Sequence, residues 1–232
     1  MAKELPDISK IASALSNESK FLMLDALMDG RGHTLLELAR TTGITPQTAC
    51  YHLKGFCQNN WVRMEKSGRF HYFFLVNPQV AELIEQFSPV SQERNTKSLI
   101  QSLKVEKIRQ FRSCYDHMAG KIGVLITDQL LKNKLLIENH LRGYDVTAKG
   151  IHFFKNKLEI SIDTLHQEKR RFSTQCLDWS ERQHHLGGAL GKALFNSFRS
   201  KELVVRKTNE KRALLLTTKG SIFLQDELHA TL

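Results

Sequence analysis

Cysteine is scarce in this chain: four residues in 232, none of them in a C-x-x-C pair. That suits a reducing cytoplasm better than a disulfide-stapled scaffold. No apolar run approaches the length of a bilayer span, and the opening MAKELPDISK lacks the pattern of a secretory leader. A cytoplasmic protein with no membrane partner is therefore expected. Also missing are a Gly-rich phosphate loop, a nucleophile elbow and a His-Glu-x-x-His motif. An enzyme would have to rest on isolated pairs such as Cys114 with His117, or Cys176 with His184. The expectation is that the chain is not an enzyme. What it does have is 41% hydrophobic residues, enough for real cores in one or two domains, and a formal net charge of +10.

The charge is unevenly spread. Residues 1–90 carry 9 basic and 9 acidic side chains, whereas residues 91–232 carry 25 and 15. All of the excess lies in the second part, where it attracts nucleic acid or an anionic ligand, unless it is only a scattered solvated surface.

Thr34–Val76 is the most informative stretch. Thr34 and Glu37 have capping-box spacing, Leu35, Leu38 and Ala39 form an apolar stripe, and Gly43 stands where a left-handed C-cap is needed. Thr45 can cap a second helix with Pro46 at its first position. In that helix Ala49, Leu53 and Phe56 face inward, and Gln47, Thr48, Tyr51 and Lys54 lie opposite. Trp61–Lys66 and Phe70–Val76 are β-prone runs joined at Ser67-Gly68, with Lys66 and Arg69 at the tip. Two helices, a tight turn and a basic-tipped hairpin make a helix-turn-helix with a wing. Gln47 and Tyr51 would read base edges, while Lys54 holds phosphate. The bland alternative is a solvated polar face. Cys50 and Cys57, seven apart, read as packing residues, Cys50 nearer the DNA face.

This stretch resembles the winged helix of the ArsR family of bacterial repressors. The likeness runs through Glu37-Leu38-Ala39, Gly43, Thr48, Tyr51-His52-Leu53-Lys54, Val62, Gly68-Arg69 and Tyr72, and covers about residues 8–88. It implies a homodimer on double-stranded operator DNA, paired through Ile8–Leu15, that usually represses until an effector releases it. The expected DNA-contacting set is Thr45, Gln47, Thr48, Cys50, Tyr51, His52, Lys54, Lys66 and Arg69. Many members sense metals through cysteines after the Glu-Leu position, or through His and carboxylate pairs on the last helix. Here Ala39-Arg40 follows Glu37-Leu38, and Asn77–Phe87 offers Glu82 and Glu85 without a histidine. Both of those metal sites are therefore expected to be missing, and no metal or cofactor is assigned.

Beyond Ser88-Pro89, a polar linker (SQERNTKS, 91–98) leads to a helix suggested by Leu99, Leu103, Ile108 and Phe111. Residues 185–198 put Leu186, Ala189, Leu190, Ala193, Leu194 and Phe198 on one helical stripe; a hairpin and a helix capped by Thr217 follow. This reads as a second winged-helix-like unit over 182–228. Its wing would carry Arg206, Lys207, Lys211 and Arg212, but the glycines at 187, 188 and 191 favour packing or a ligand over base reading. A short echo, T-x-K-G-x-x-F, occurs at Thr147–Phe153 and Thr217–Phe223 and leaves an internal repeat open.

Chemistry in this half would come from RSCYDHMAG (112–120) and CLDWSERQHHL (176–186). Cys114 and His117, three apart, would share a helical face; Cys176, His184 and His185 join them only if the fold brings the segments together. Such ligands suit zinc or a thiol sensor, while the competing readings are a structural role and an organic or anionic effector pocket. The CYDH and CLDWSER segments resemble the C-terminal half of a two-domain subgroup of ArsR-type regulators.

The expected architecture is thus mainly α with small β wings (α+β). It comprises a DNA-binding domain over 1–90, a linker over 91–104 and a dimerisation or effector domain over 105–232. The expected function is a sequence-specific regulator. The alternatives are a nucleoid-type DNA-binding protein without an effector, and a thiol- or metal-responsive regulator using Cys114, His117 and Cys176.

Overall fold

The computed structural model describes residues 8–87, 106–206 and 212–231. The expected linker, the helix start at Leu99 and Leu103, and the turn residues Lys207 and Lys211 lie outside them. The chain divides into two compact units between Ile84 and Glu85. That is inside a helix and a few residues before the boundary expected at Ser88-Pro89.

The first unit runs α1 (Ile8–Ser16), α2 (Glu18–Leu27), β1 (His33–Thr34), α3 (Leu35–Thr42), α4 (Pro46–Gln58), β2 (Val62–Ser67), β3 (Phe70–Leu75) and into α5 (Pro78–Phe87). Its local signals act as their chemistry predicts. The Asn17 side chain accepts from the Lys20 N–H at the start of α2. Thr34 and Glu37 close a complete capping box, and Gly43 ends α3 at φ 68°. Thr45 caps α4 with Pro46 in its first turn. The strands pair antiparallel in the order β1-β3-β2, with Ser67 opposite Phe70 at the wing tip. Met23, Leu24, Leu27, Leu38, Ala49, Leu53, Phe56 and Phe73 form the core beneath α4.

Asp29 anchors the entry to β1. Its carboxylate accepts from the Arg31 N–H at 2.9 Å and lies 3.0 Å from His33 Nε2. Burial opposes ionisation of Asp29, but His33 and the Arg31 N–H outweigh it and hold the pKa below its ordinary 3.8. A depressed carboxylate pKa stabilises the fold above the unfolded value and loses that contribution as pH falls through the folded one. Asp29→Asn should therefore be less stable than the parent chain at neutral pH, with the difference closing below about pH 4. Denaturation followed by Trp61 fluorescence across that range checks it; a gap that widens in acid contradicts it.

The second unit begins with a helical segment at 106–110. It continues β4 (Arg112–Cys114), β5 (His117–Ala119), α6 (Gly120–Lys132), β6 (Leu136–Asn139), β7 (Gly143–Val146), α7 (Ala148–Leu158) and α8 (Ile162–His166). Then come β8 (Thr174–Leu177), β9 (His184–Gly187), α9 (Gly188–Ser200), β10 (Val204–Arg206), β11 (Leu214–Leu216) and α10 (Thr218–Leu228). The order hairpin–helix–hairpin–helix occurs twice. The details repeat as well. Gly120 and Gly188 open α6 and α9 with the same φ of 78°. Thr147 caps α7 through the Gly150 N–H, and Thr217 caps α10 through the Gly220 N–H. The same two hydroxyls donate to the Leu135 and Leu203 carbonyls. Helices α7 and α10 both end on a left-handed residue, Glu159 and His229. The T-x-K-G-x-x-F echo is thus one visible part of a structural duplication.

The copies interlock. Helix α6 packs on β9 of the second copy, and α9 packs on β5 of the first. A shared apolar core joins them, with Phe154, Phe195, Phe198, Leu190 and Leu224 at its centre. The expected wing of the second half is present as β10–β11. Among the described residues, however, a hairpin and not a partner helix precedes α9, so the helix-turn-helix half of a winged helix is replaced by β8–β9.

Candidate functional site

Two places carry functional side chains. The first is the outward face of α4 with the wing. Gln47, Thr48, Cys50, Tyr51 and Lys54 are exposed, Tyr51 to 75%. Ala49, Leu53 and Phe56 hold the opposite face in the core, which fixes the roll of the helix. Thr45 and Thr48 are partly engaged with each other: their hydroxyls lie 2.9 Å apart, and Thr45 accepts the Thr48 N–H. Lys66 and Arg69 are exposed at the wing tip, Arg69 lying 5.0 Å from the Phe70 ring centroid. His52 departs from the expected set. It is half-buried beside Lys20, and burial first, then that ammonium, lowers its pKa. It stands at the edge of the face, less open to a partner than its neighbours Tyr51 and Lys54. Of the two cysteines read as packing residues, Cys57 is half-buried but Cys50 is exposed, because it lies on the outward face of α4.

The second place is in the second unit. Cys114 and His117 do not share a helical face. They are directly opposed across the β4–β5 hairpin, whose turn is Tyr115-Asp116 with Tyr115 at φ 54°. Cys176 and His185 are opposed in the same way across β8–β9. The interlocked copies bring the two pairs together: Cys114 Sγ lies 3.8 Å from Cys176 Sγ, and His117 Nε2 lies 3.1 Å from His185 Nε2. One donor atom from each of the four falls within 4.8 Å of all the others. Cys114, His117 and His185 are buried and Cys176 is half-buried. His184 is exposed, because neighbouring residues of a strand point to opposite faces.

Carboxylates back both imidazoles. Asp116 Oδ1 is 3.4 Å from His117 Nδ1, and Asp178 Oδ2 is 3.4 Å from His185 Nδ1. Each carboxylate is paired in turn, Asp116 with Arg170 at 2.5 Å and Asp178 with Arg112 at 2.9 Å. The Gly120 N–H also donates to Asp178 at 2.7 Å. Burial opposes ionisation of Asp178, yet His185, Arg112 and the Gly120 N–H hold it far below the carboxylate range. Trp179 has the Arg112 guanidinium 4.7 Å from its ring centroid. Burial, with the neighbouring Cys176, pushes the Cys114 thiol well above its ordinary pKa. Reactive sensor thiols need the opposite shift.

Sequence reasoning named all four members of this cluster without their arrangement. Among the described residues, no helix is long and apolar enough to cross a membrane.

No protein-family model matches the chain. Among solved structures, it aligns with NolR from Sinorhizobium fredii at 20% identity over 39% of this chain and 96% of that one, with a TM-score of 0.34. The homodimeric winged helix-turn-helix domain of Mb0332 from Mycobacterium bovis aligns at 19% identity over 41% and 100%, with a TM-score of 0.32. Likenesses this partial carry no weight here. The full-length relative does. An uncharacterized HTH-type transcriptional regulator of Bacillus subtilis (strain 168), YdfF, is 38% identical over 224 residues, covering 97% of this chain and 98% of its own. That relative is a regulator and not an enzyme, and the capped α3–α4 pair with its wing is what a DNA-reading protein of this kind requires. The chain belongs to the HTH-type transcriptional regulators.

Proposed function

We propose that the chain is a homodimeric repressor of the ArsR type that binds a short palindromic operator and is released by an effector acting through the second unit. The observation that carries this reading is the exposed face of α4. Its first turn is capped by Thr45, and Gln47, Tyr51 and Lys54 stand exposed in a row above a core-locked helix. One such helix per subunit enters each of two successive major grooves, and the wing tip, with Lys66 and Arg69, lies along the backbone. The effector would change the spacing of the two helices and so weaken operator affinity.

A footprint of the purified protein on its own upstream DNA tests the reading. A protected palindrome supports it, and protection without sequence preference favours the nucleoid-type alternative. Tyr51→Ala and Gln47→Ala should each cost about 1–3 kcal/mol on the operator and relax its sequence preference. Lys54→Ala should instead weaken binding to all sequences and lower the slope of affinity against salt by about one. Titrations on operator and scrambled DNA at several salt concentrations separate the two behaviours. Equal losses on both DNAs for Tyr51 would remove it from base reading.

A further inference from the structure

We infer that Cys114, His117, Cys176 and His185 form a closed binding site for a borderline divalent cation, zinc foremost. This goes beyond DNA reading and does not depend on it. Three independent features support it.

The first is size. A tetrahedral ion with Zn–S of about 2.3 Å and Zn–N of about 2.0–2.1 Å needs S···S and N···N edges of about 3.8 Å and about 3.4 Å. The observed edges are 3.8 Å between the sulfurs and 3.1 Å between the Nε2 atoms. The S···S and N···N edges therefore match in scale, and all four donors lie within 4.8 Å of one another. A packing role requires only that thiols and imidazoles be buried, not that their donor atoms face one common point.

The second is the surrounding shell. Each imidazole turns Nδ1 toward an aspartate and Nε2 toward the centre. A carboxylate on the Nδ1 side is the outer-shell partner that metal-ligating imidazoles commonly have. Both aspartates are held by arginines, so the same Arg–Asp–His relay approaches the centre from two sides.

The third is the duplication. Each copy supplies one cysteine and one histidine from opposed positions of its first hairpin, in the order C-x-D followed by His. The second copy carries a longer turn between them, Asp178–Gln183, and still places His185 opposite Cys176. Matching donors from the two interlocked copies meet at one place, where each copy would supply half of the ligands to a single ion. With four protein donors, no position remains for water or substrate, so the site is structural and not catalytic.

The full chain, reduced, stripped with a chelator and free of DNA, is titrated with cobalt(II) and then with zinc(II). The expected result is one ion per chain, with visible d–d bands of tetrahedral intensity and a thiolate charge-transfer band in the near ultraviolet. Zinc displaces both. Cys176→Ser and His185→Gln should each weaken cobalt binding by more than the roughly 10–100-fold that losing an outer-shell partner costs, and Asp116→Asn should fall within that range. His184→Ala, one residue away and exposed, should bind as the parent does. If a ligand variant fails to fold, the parent still decides the matter: zinc should slow alkylation of the half-buried Cys176 and leave exposed Cys50 unaffected. No ion bound by the reduced chain, binding indifferent to the ligand variants, or Cys176 alkylation unchanged by zinc each overturns the assignment.

Discussion

Asp178→Ala is expected to destabilise the second unit by about 3–5 kcal/mol, the cost of leaving a buried charge without its partner. Asp178 and Arg112 have side chains 0% and 1% exposed, so neither can turn to water when the other is lost. The aspartate also ties chain segments together. It accepts from Arg112 and the Gly120 N–H, and closes its own turn through the N–H groups of Ser180 and Glu181. Removing it strands a guanidinium and several backbone donors at once. The two tryptophans make the measurement direct, because Trp61 lies in the first unit and Trp179 in the second. In a Trp61→Phe background, denaturant unfolding followed by fluorescence reports the second unit alone. Replacing both partners, Asp178→Leu with Arg112→Met, should recover much of the loss, since no lone charge remains buried. A loss below about 1 kcal/mol for Asp178→Ala would show that water reaches the pair.

Gly220→Ala is expected to cost about 3 kcal/mol, near the upper end for overpacking. A Cβ at Gly220 would lie 2.0 Å from the Leu203 carbonyl oxygen, which belongs to backbone and cannot swing aside. At Gly150 the corresponding distance is 2.1 Å, to the Leu135 oxygen. In both copies this closeness follows from the capping threonine, whose hydroxyl and N–H clamp the helix start to that same carbonyl. Gly150→Ala should therefore cost about the same as Gly220→Ala. By contrast, Gly55→Ala on α4 meets no atom within 4 Å and should be neutral or slightly stabilising. Thermal unfolding of the three variants checks the pattern. Equal tolerance of all three would contradict the clamp.

These two positions also show what the sequence could reveal. The echo T-x-K-G-x-x-F was visible because a cap and a crowded glycine admit almost no substitutes. Most core positions of the two copies carry no such shared pattern, since core residues need only fill volume. The first unit was readable for a similar reason: Thr34 with Glu37, Gly43, and Thr45 with Pro46 act within a few residues of themselves. The cluster was not readable. A three-residue spacing serves a helix face and equally a pair flanking a two-residue turn, so Cys114 and His117 suggested the wrong element. His184 and His185 could be told apart only by strand register. Nothing local brings Cys114 to a residue 62 positions away. His52 was drawn into the DNA-contacting set by its neighbours in sequence, although helical rotation turns it toward Lys20.

The interlocking of the two copies also sets an order of events during synthesis. Contacts of the first unit close within residues up to 84, so it can fold as the chain leaves the ribosome. Helix α6 cannot bury its face until β9 has emerged, more than fifty residues later. Until then the first copy exposes an apolar helix and an unpaired hairpin edge. Such long closures are slow, which makes this interval the one in which the nascent regulator most needs protection from aggregation.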